Sequence, residues 1–180
     1  MIMKHAIRFM SLIGVLMLTG CNSSDAYKEQ LDTLNNNWSS TTEELTSFAQ
    51  SADTELKAWK DMYEGMDAEI DVTAISDDKK QILDSLDAVC RGHGDTYTLM
   101  NQEISELETL WTENAKIVED LNDKFENNSL SEEHLDAIDQ LNRQTEEVSE
   151  KLSTWKSTLE NVKSDCAVTC QEYAKVIDQE

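Results

Sequence analysis

The sequence predicts an all-α protein, an elongated up-down-up three-helix bundle with coiled-coil-like packing. Three observations predict it. Residues 21–180 contain no proline and only three glycines, Gly65, Gly92 and Gly94, so little in them interrupts a helix. Apolar residues recur at steps of three and four along three long stretches, the spacing that lines one face of a helix. Two clusters of turn-forming residues, around 65–76 and 127–131, separate those stretches.

Taken in chain order, residues 1–20 come first. They carry Lys4 and Arg8 and no acid, followed by an apolar run from Phe9 to Leu18 broken only by Ser11 and Gly14. That run has the length of a signal-peptide core and is too short to span a bilayer. It ends in Leu18-Thr19-Gly20-Cys21. The segment resembles the lipobox of bacterial lipoproteins: a leucine, two small residues and a cysteine. The resemblance implies cleavage before Cys21 and two or three acyl chains on the new N-terminus, since one chain alone holds a protein only marginally. In enterobacterial lipoproteins an aspartate after the cysteine commonly retains the protein in the inner membrane. Asn22 therefore implies the outer membrane. The chain is expected to face the periplasm there, although residue 22 does not itself distinguish that face from the cell surface. The expected organisation is a signal peptide at 1–20, a lipidated tether at 21–24 and a bundle domain at 25–180.

The first helix is expected over 25–64, with Ser24 or Asp25 as its cap. Its seam is Tyr27, Leu31, Leu34, Trp38, Thr41, Leu45, Phe48, Ala52, Leu56, Trp59 and Tyr63. Gly65 is the expected C′ residue, with Met66 packing back. Residues 67–75, which include Ile70, Val72, Thr73 and Ile75, read as a loop over the bundle end. Ser76 followed by Asp77 and Asp78 starts the second helix, with acids at its positive end. That seam runs Ile82, Leu86, Val89, His93, Tyr97, Met100, Ile104, Leu107, Trp111, Val118, Leu121 and Phe125. It keeps its phase across Gly92-His93-Gly94, which predicts a kinked helix rather than a break. Asn127-Asn128-Ser129-Leu130-Ser131 is a turn. There Ser129 with Glu132 fits a capping box, and Ser131 is the alternative cap.

The third helix has the most regular seam: Ile138, Leu141, Thr145, Val148, Leu152, Trp155, Leu159, Val162, Cys166, Thr169, Tyr173 and Val176. More than five heptads of alternating steps argue for coiled-coil-like packing. Three helices of this length make a rod roughly 60–75 Å long. In length and pattern it resembles a spectrin-type repeat. The competing architecture is an open coiled coil that closes its core in a homo-oligomer. In the closed bundle Cys21 lies beside the 127–131 turn, while 65–78 and 176–180 form the far tip.

Charge narrows the partners. Residues 1–20 hold two of the 15 basic residues and none of the 37 acids, which leaves 13 bases against 37 acids and a net charge of −24. Such a chain is repelled by nucleic acid and anionic headgroups. The expected contacts are the membrane through the lipid on Cys21 and an envelope protein. No cofactor beyond that covalent lipid is expected.

Catalytic motifs are missing: there is no HExxH, GxSxG, P-loop or dinucleotide fingerprint. Beyond residue 20 the histidines are His93 and His134, separated by roughly 60 Å of helix. An enzyme is therefore not expected, and no catalytic residue is assigned. The four tryptophans sit on seams and read as core, with Trp38 and Trp155 in neighbouring layers as a shared aromatic cluster.

Cys90, Cys166 and Cys170 stand out. Cys90-x-x-His93 and Cys166-x-x-x-Cys170 have the helix-face spacing of a thiolate and imidazole metal set for zinc or copper. An oxidising envelope favours a disulfide instead. Phe125 and Leu135 end the two seams beside the turn, and the register they set places Cys90 opposite Cys170, with Cys166 one helical turn away. Cys90 and Cys170 both flank the seam in this reading, which favours Cys170 over Cys166 as the partner of Cys90. Either bridge closes a loop of about eighty residues and contributes about 4–4.5 kcal/mol in the chain-entropy model. Two functions follow as expectations. The first is an anchored envelope lipoprotein acting as a tether or scaffold. The alternative is a metal-binding or metal-responsive lipoprotein using Cys90, His93, Cys166 and Cys170.

Overall fold

Residues 27–68 and 75–178 are described by the structure, a computed structural model. Three helices carry the chain: α1 (Lys28–Ala68), α2 (Asp77–Glu126) and α3 (Leu135–Asp178), with a short 3-10 turn at Glu132–His134 before α3. No strand occurs among the described residues. Each helix packs on both others, so the architecture is the expected up-down-up three-helix bundle. Cys21, the 21–24 tether, and Ile70, Val72 and Thr73 of the expected loop lie outside the described residues.

The core closes within one chain. Leu34, Ala52, Ile138 and Leu152 are completely buried, and Leu31, Leu121 and Leu130 nearly so. The seams of α1 and α3 are those of the sequence. Side-chain contacts give the directions. Asn37 donates to Asn142 at 3.2 Å, Lys156 pairs with Glu44 at 3.0 Å and Lys163 with Glu55, so α1 and α3 run in parallel. Asn114 donates to Gln144 at 3.0 Å and Trp155 Nε1 to Glu103 at 3.2 Å, so α2 runs against α3.

Four local expectations are corrected. First, α1 does not stop at Gly65. It continues to Ala68, and Gly65 does not adopt the left-handed backbone of a C′ residue. With no proline near by, the helix loses only the modest propensity cost of one glycine. Second, the capping box before α3 is built on Ser131 rather than Ser129. The Ser131 N–H donates to His134 Nδ1 at 3.1 Å while the Ser131 hydroxyl meets the same turn. Ser129 is instead spent on closing α2, its N–H donating to the Lys124 carbonyl at 2.8 Å next to Asn128 at φ 56°. Asn tolerates that left-handed backbone better than most residues.

Third, the tryptophans are paired differently. Trp38 stacks face to face on Trp111, centroids 3.8 Å apart, and Trp111 Nε1 donates to Thr42 at 2.8 Å. Trp155 lies beside Phe48 at 5.9 Å, under the Lys151 ammonium. Which tryptophan meets which depends on the α1–α2 register, which short loops alone do not set.

The fourth correction concerns α2. It is continuous through Gly92-His93-Gly94, but its buried seam before Tyr97 is not the expected one. Ile82 and Val89 are 49% and 46% exposed, while Leu83 and Cys90 are 6% and 0% exposed. The buried line steps by sevens through Leu83, Cys90, Tyr97, Ile104, Trp111 and Val118. With Leu86, His93, Met100 and Leu107 between them, these positions keep the same alternating steps of three and four on both sides of Gly94; the expected line left that phase at Ile82 and Val89. A Cβ on Gly94 would stand 2.2 Å from the six-membered ring of Trp59, so the missing side chain is the hole that receives the indole.

Candidate functional site

The chemistry-bearing residues gather where the N-terminal half of α2 meets the C-terminal parts of α1 and α3, far from the 127–131 turn. From α1, Trp59 and Tyr63 stack on each other at 5.2 Å. Trp59 Nε1 donates to the Cys90 carbonyl at 3.1 Å, and the Tyr63 hydroxyl donates to Asp87 at 2.6 Å. These bonds hold the first turns of α2 against α1. Arg91 pairs with Asp87 from its own helix at 2.5 Å, on the exposed side.

Beneath them lie the three cysteines. Cys90 and Cys166 are buried and Cys170 is half-buried. Cys170 is a neighbour of both other thiols. It also donates its own S–H to the Met62 thioether of α1 at 3.0 Å. Burial pushes the Cys90 thiol from 9.0 up to about 11, with Cys170 and Asp87 beside it adding to the effect. Burial likewise pushes Cys166 to about 12, helped by Cys170 and Cys90. Tyr97 borders the same layer, its hydroxyl pushed from 10.0 to about 12 by burial and by Cys166 and Glu55. Cys90 and Cys166 are therefore thiols, not thiolates, at neutral pH.

All three cysteines are free, so neither expected bridge, Cys90 to Cys170 or Cys90 to Cys166, is present. The neighbourhood is nonetheless the one that the register placed together. Cys90 lies on the seam and not beside it, on the heptad line that joins Leu83 to Tyr97.

The metal alternative requires Cys90, His93, Cys166 and Cys170 to converge. Among the described residues no group of three or more His, Cys, Asp or Glu is placed to hold a metal ion. His93 is half-buried, and its Nε2 is buried without a hydrogen-bond partner. His134 is far away in the α2–α3 turn, committed to the Ser131 cap. A groove of about 390 Å³ between α1 and α3, floored by Phe48 and Leu159 and rimmed by Glu43, Glu44, Lys156 and Glu160, carries neither a cysteine nor a histidine.

Two residues of this region were not singled out by the sequence: Met62 as a sulfur neighbour and Gly94 as the seat of Trp59. The heptad from Leu83 through Cys90 to Val118 was the signal for the second. By its architecture the chain is an antiparallel three-helix bundle with a thiol layer in one end of its core. Compared with family models, curated proteins and solved structures, it matches none of them.

Proposed function

We propose that the chain is an envelope lipoprotein, anchored by acyl chains on Cys21 in the outer membrane and facing the periplasm, whose bundle is a rigid spacer that holds an envelope protein partner. The observation that carries this reading is Leu18-Thr19-Gly20-Cys21 behind a basic start and a ten-residue apolar run. No helix among the described residues is long and apolar enough to cross a membrane, so a lipid is the attachment that suits the rod. Helices of 41, 50 and 44 residues give a rod of roughly 60–75 Å. Chemistry of its own is not part of this reading. An oxidising envelope also makes a staple from Cys90 to Cys170 or Cys166 part of it.

The test is acyl labelling combined with envelope cross-linking. Wild-type chain in bacteria fed an alkyne fatty acid should take up label and migrate as the processed form. Cys21→Ser should remain unlabelled and precursor-sized, and cross-linked envelopes should yield a reproducible protein partner for the wild type alone. An unmodified Cys21 in mass spectra of the wild type removes the anchor. Repeated recovery of no partner removes the tether role.

A further inference from the structure

We propose that the thiol layer is a modification site with one door: an external disulfide oxidises the chain through Cys170, and the product is a Cys90–Cys170 bridge between α2 and α3 that leaves Cys166 as a thiol. The inference concerns the bundle alone and does not depend on lipidation of Cys21.

Access comes first. Cys90 is 0% and Cys166 6% exposed, while Cys170 is half-buried and therefore the member of the cluster that a solvent-borne disulfide can meet.

The partner follows from position. Cys170 donates its S–H to Met62, one turn along α1 from Trp59, whose indole N–H donates to the Cys90 carbonyl, so Cys170 and Cys90 lie in one layer on facing helices, with Cys166 one turn away on α3. Residues four apart on a helix hold their Cβ atoms about 5–6 Å apart, whereas a disulfide needs about 3.5–4.5 Å. A Cys166–Cys170 bridge therefore distorts α3. A Cys90–Cys170 bridge joins two facing helices instead, and its formation releases the Cys170 S–H bond to Met62.

The steps balance. Cys170, as the thiolate, attacks one sulfur of a low-molecular-weight or protein disulfide, forming a mixed disulfide and expelling one thiolate, which takes up the Cys170 proton. Cys90 then attacks the Cys170 sulfur of that mixed disulfide. The second half of the oxidant departs and takes up the Cys90 proton. Two protein thiols are oxidised to one disulfide, and the oxidant is reduced to two thiols.

The experiment uses the full chain carrying Cys21→Ser, kept in detergent, so that three thiols remain. Reduced protein is exposed to glutathione disulfide, quenched in acid at intervals, alkylated and mapped without reductant. The expected order is a glutathione adduct on Cys170, then a Cys90–Cys170 peptide, with Cys166 alkylated only after denaturation. Cys90→Ser should stop at the Cys170 adduct and accumulate it roughly tenfold over the parent, whereas Cys166→Ser should reach the bridge as the parent does. A first adduct on Cys90 or Cys166, a bridge without Cys170, or no reaction in the folded chain overturns the proposal. Helical circular dichroism checks each variant. Should a variant not fold, the mapping of the three-thiol parent decides alone.

Discussion

Gly92 and Gly94 look equivalent in the sequence and behave oppositely in the fold. Nothing lies within 4 Å of a Cβ placed on Gly92, whereas one on Gly94 runs into Trp59 at 2.2 Å. Gly92→Ala should therefore stabilise the bundle by about 0.5–1 kcal/mol through helix propensity. Gly94→Ala should destabilise it by about 1–3 kcal/mol through overpacking, because Trp59 is held by its bond to the Cys90 carbonyl and its stack on Tyr63. Urea unfolding followed by circular dichroism separates the two, and equal shifts would show that Trp59 is not seated there. The buried thiols set a second expectation. Cys90, Cys166 and Tyr97 all keep their protons more tightly in the folded chain than at their ordinary values of 9.0 and 10.0. Between pH 9 and about 12 the unfolded chain thus binds fewer protons than the folded one, and stability falls as pH rises. Reduced protein should hold its urea midpoint up to about pH 9 as far as these groups are concerned and lose it above, less steeply in Cys166→Ala.

At the scale of the helix, α2 carries the informative contrast. Leu83 is core and its chain neighbour Ile82 is half-exposed, although the expected seam ran through Ile82. Ile82→Gln should change stability by no more than about 0.5 kcal/mol. Leu83→Ala should cost about 2–5 kcal/mol. The reverse order in a denaturant titration would restore the expected seam. The seam of α3 needed no such correction. The large apolar residues of α3 up to Val162 fall in one phase, whereas α2 sets Ile82, Val89, Leu110 and Ile117 directly before Leu83, Cys90, Trp111 and Val118, so apolar residues occupy two adjacent phases and packing selects between them. Amide pairs add specificity between helices. Asn35 and Asn122 exchange bonds of 2.7 and 2.9 Å, and each of the three interfaces carries at least one such contact. A bonded amide pair in a partly buried position penalises any slip in register that leaves it unpaired.

For the molecule as a whole, charge is the dominant global property. A formal charge of −22 on 180 residues opposes compaction by self-repulsion, and scattered ion pairs such as Lys156–Glu44 and Lys163–Glu55 relieve it only locally. Raising monovalent salt from about 0.01 to 0.15 M shortens the screening length from roughly 30 to 8 Å and should raise the thermal midpoint. A midpoint that falls with salt would mean that the surface ion pairs outweigh the repulsion. What the sequence determined by itself was the fold class, the three helices, the Ser76 start, the 127–131 turn and nearly every core residue of α1 and α3. Those follow from local rules: helical periodicity, scarce breakers and capping chemistry act within a few residues of one another. The nearness of Cys90 to Cys166 and Cys170 was also legible, because one short turn fixes the α2–α3 register. Only the tertiary structure decided that Trp38 meets Trp111, that Gly94 receives Trp59, that Cys90 is core, and that Met62 is the acceptor for Cys170. Each of these depends on how the three helices lie against one another, and side chains from helices far apart in the chain must fill one another's space for that arrangement to exist.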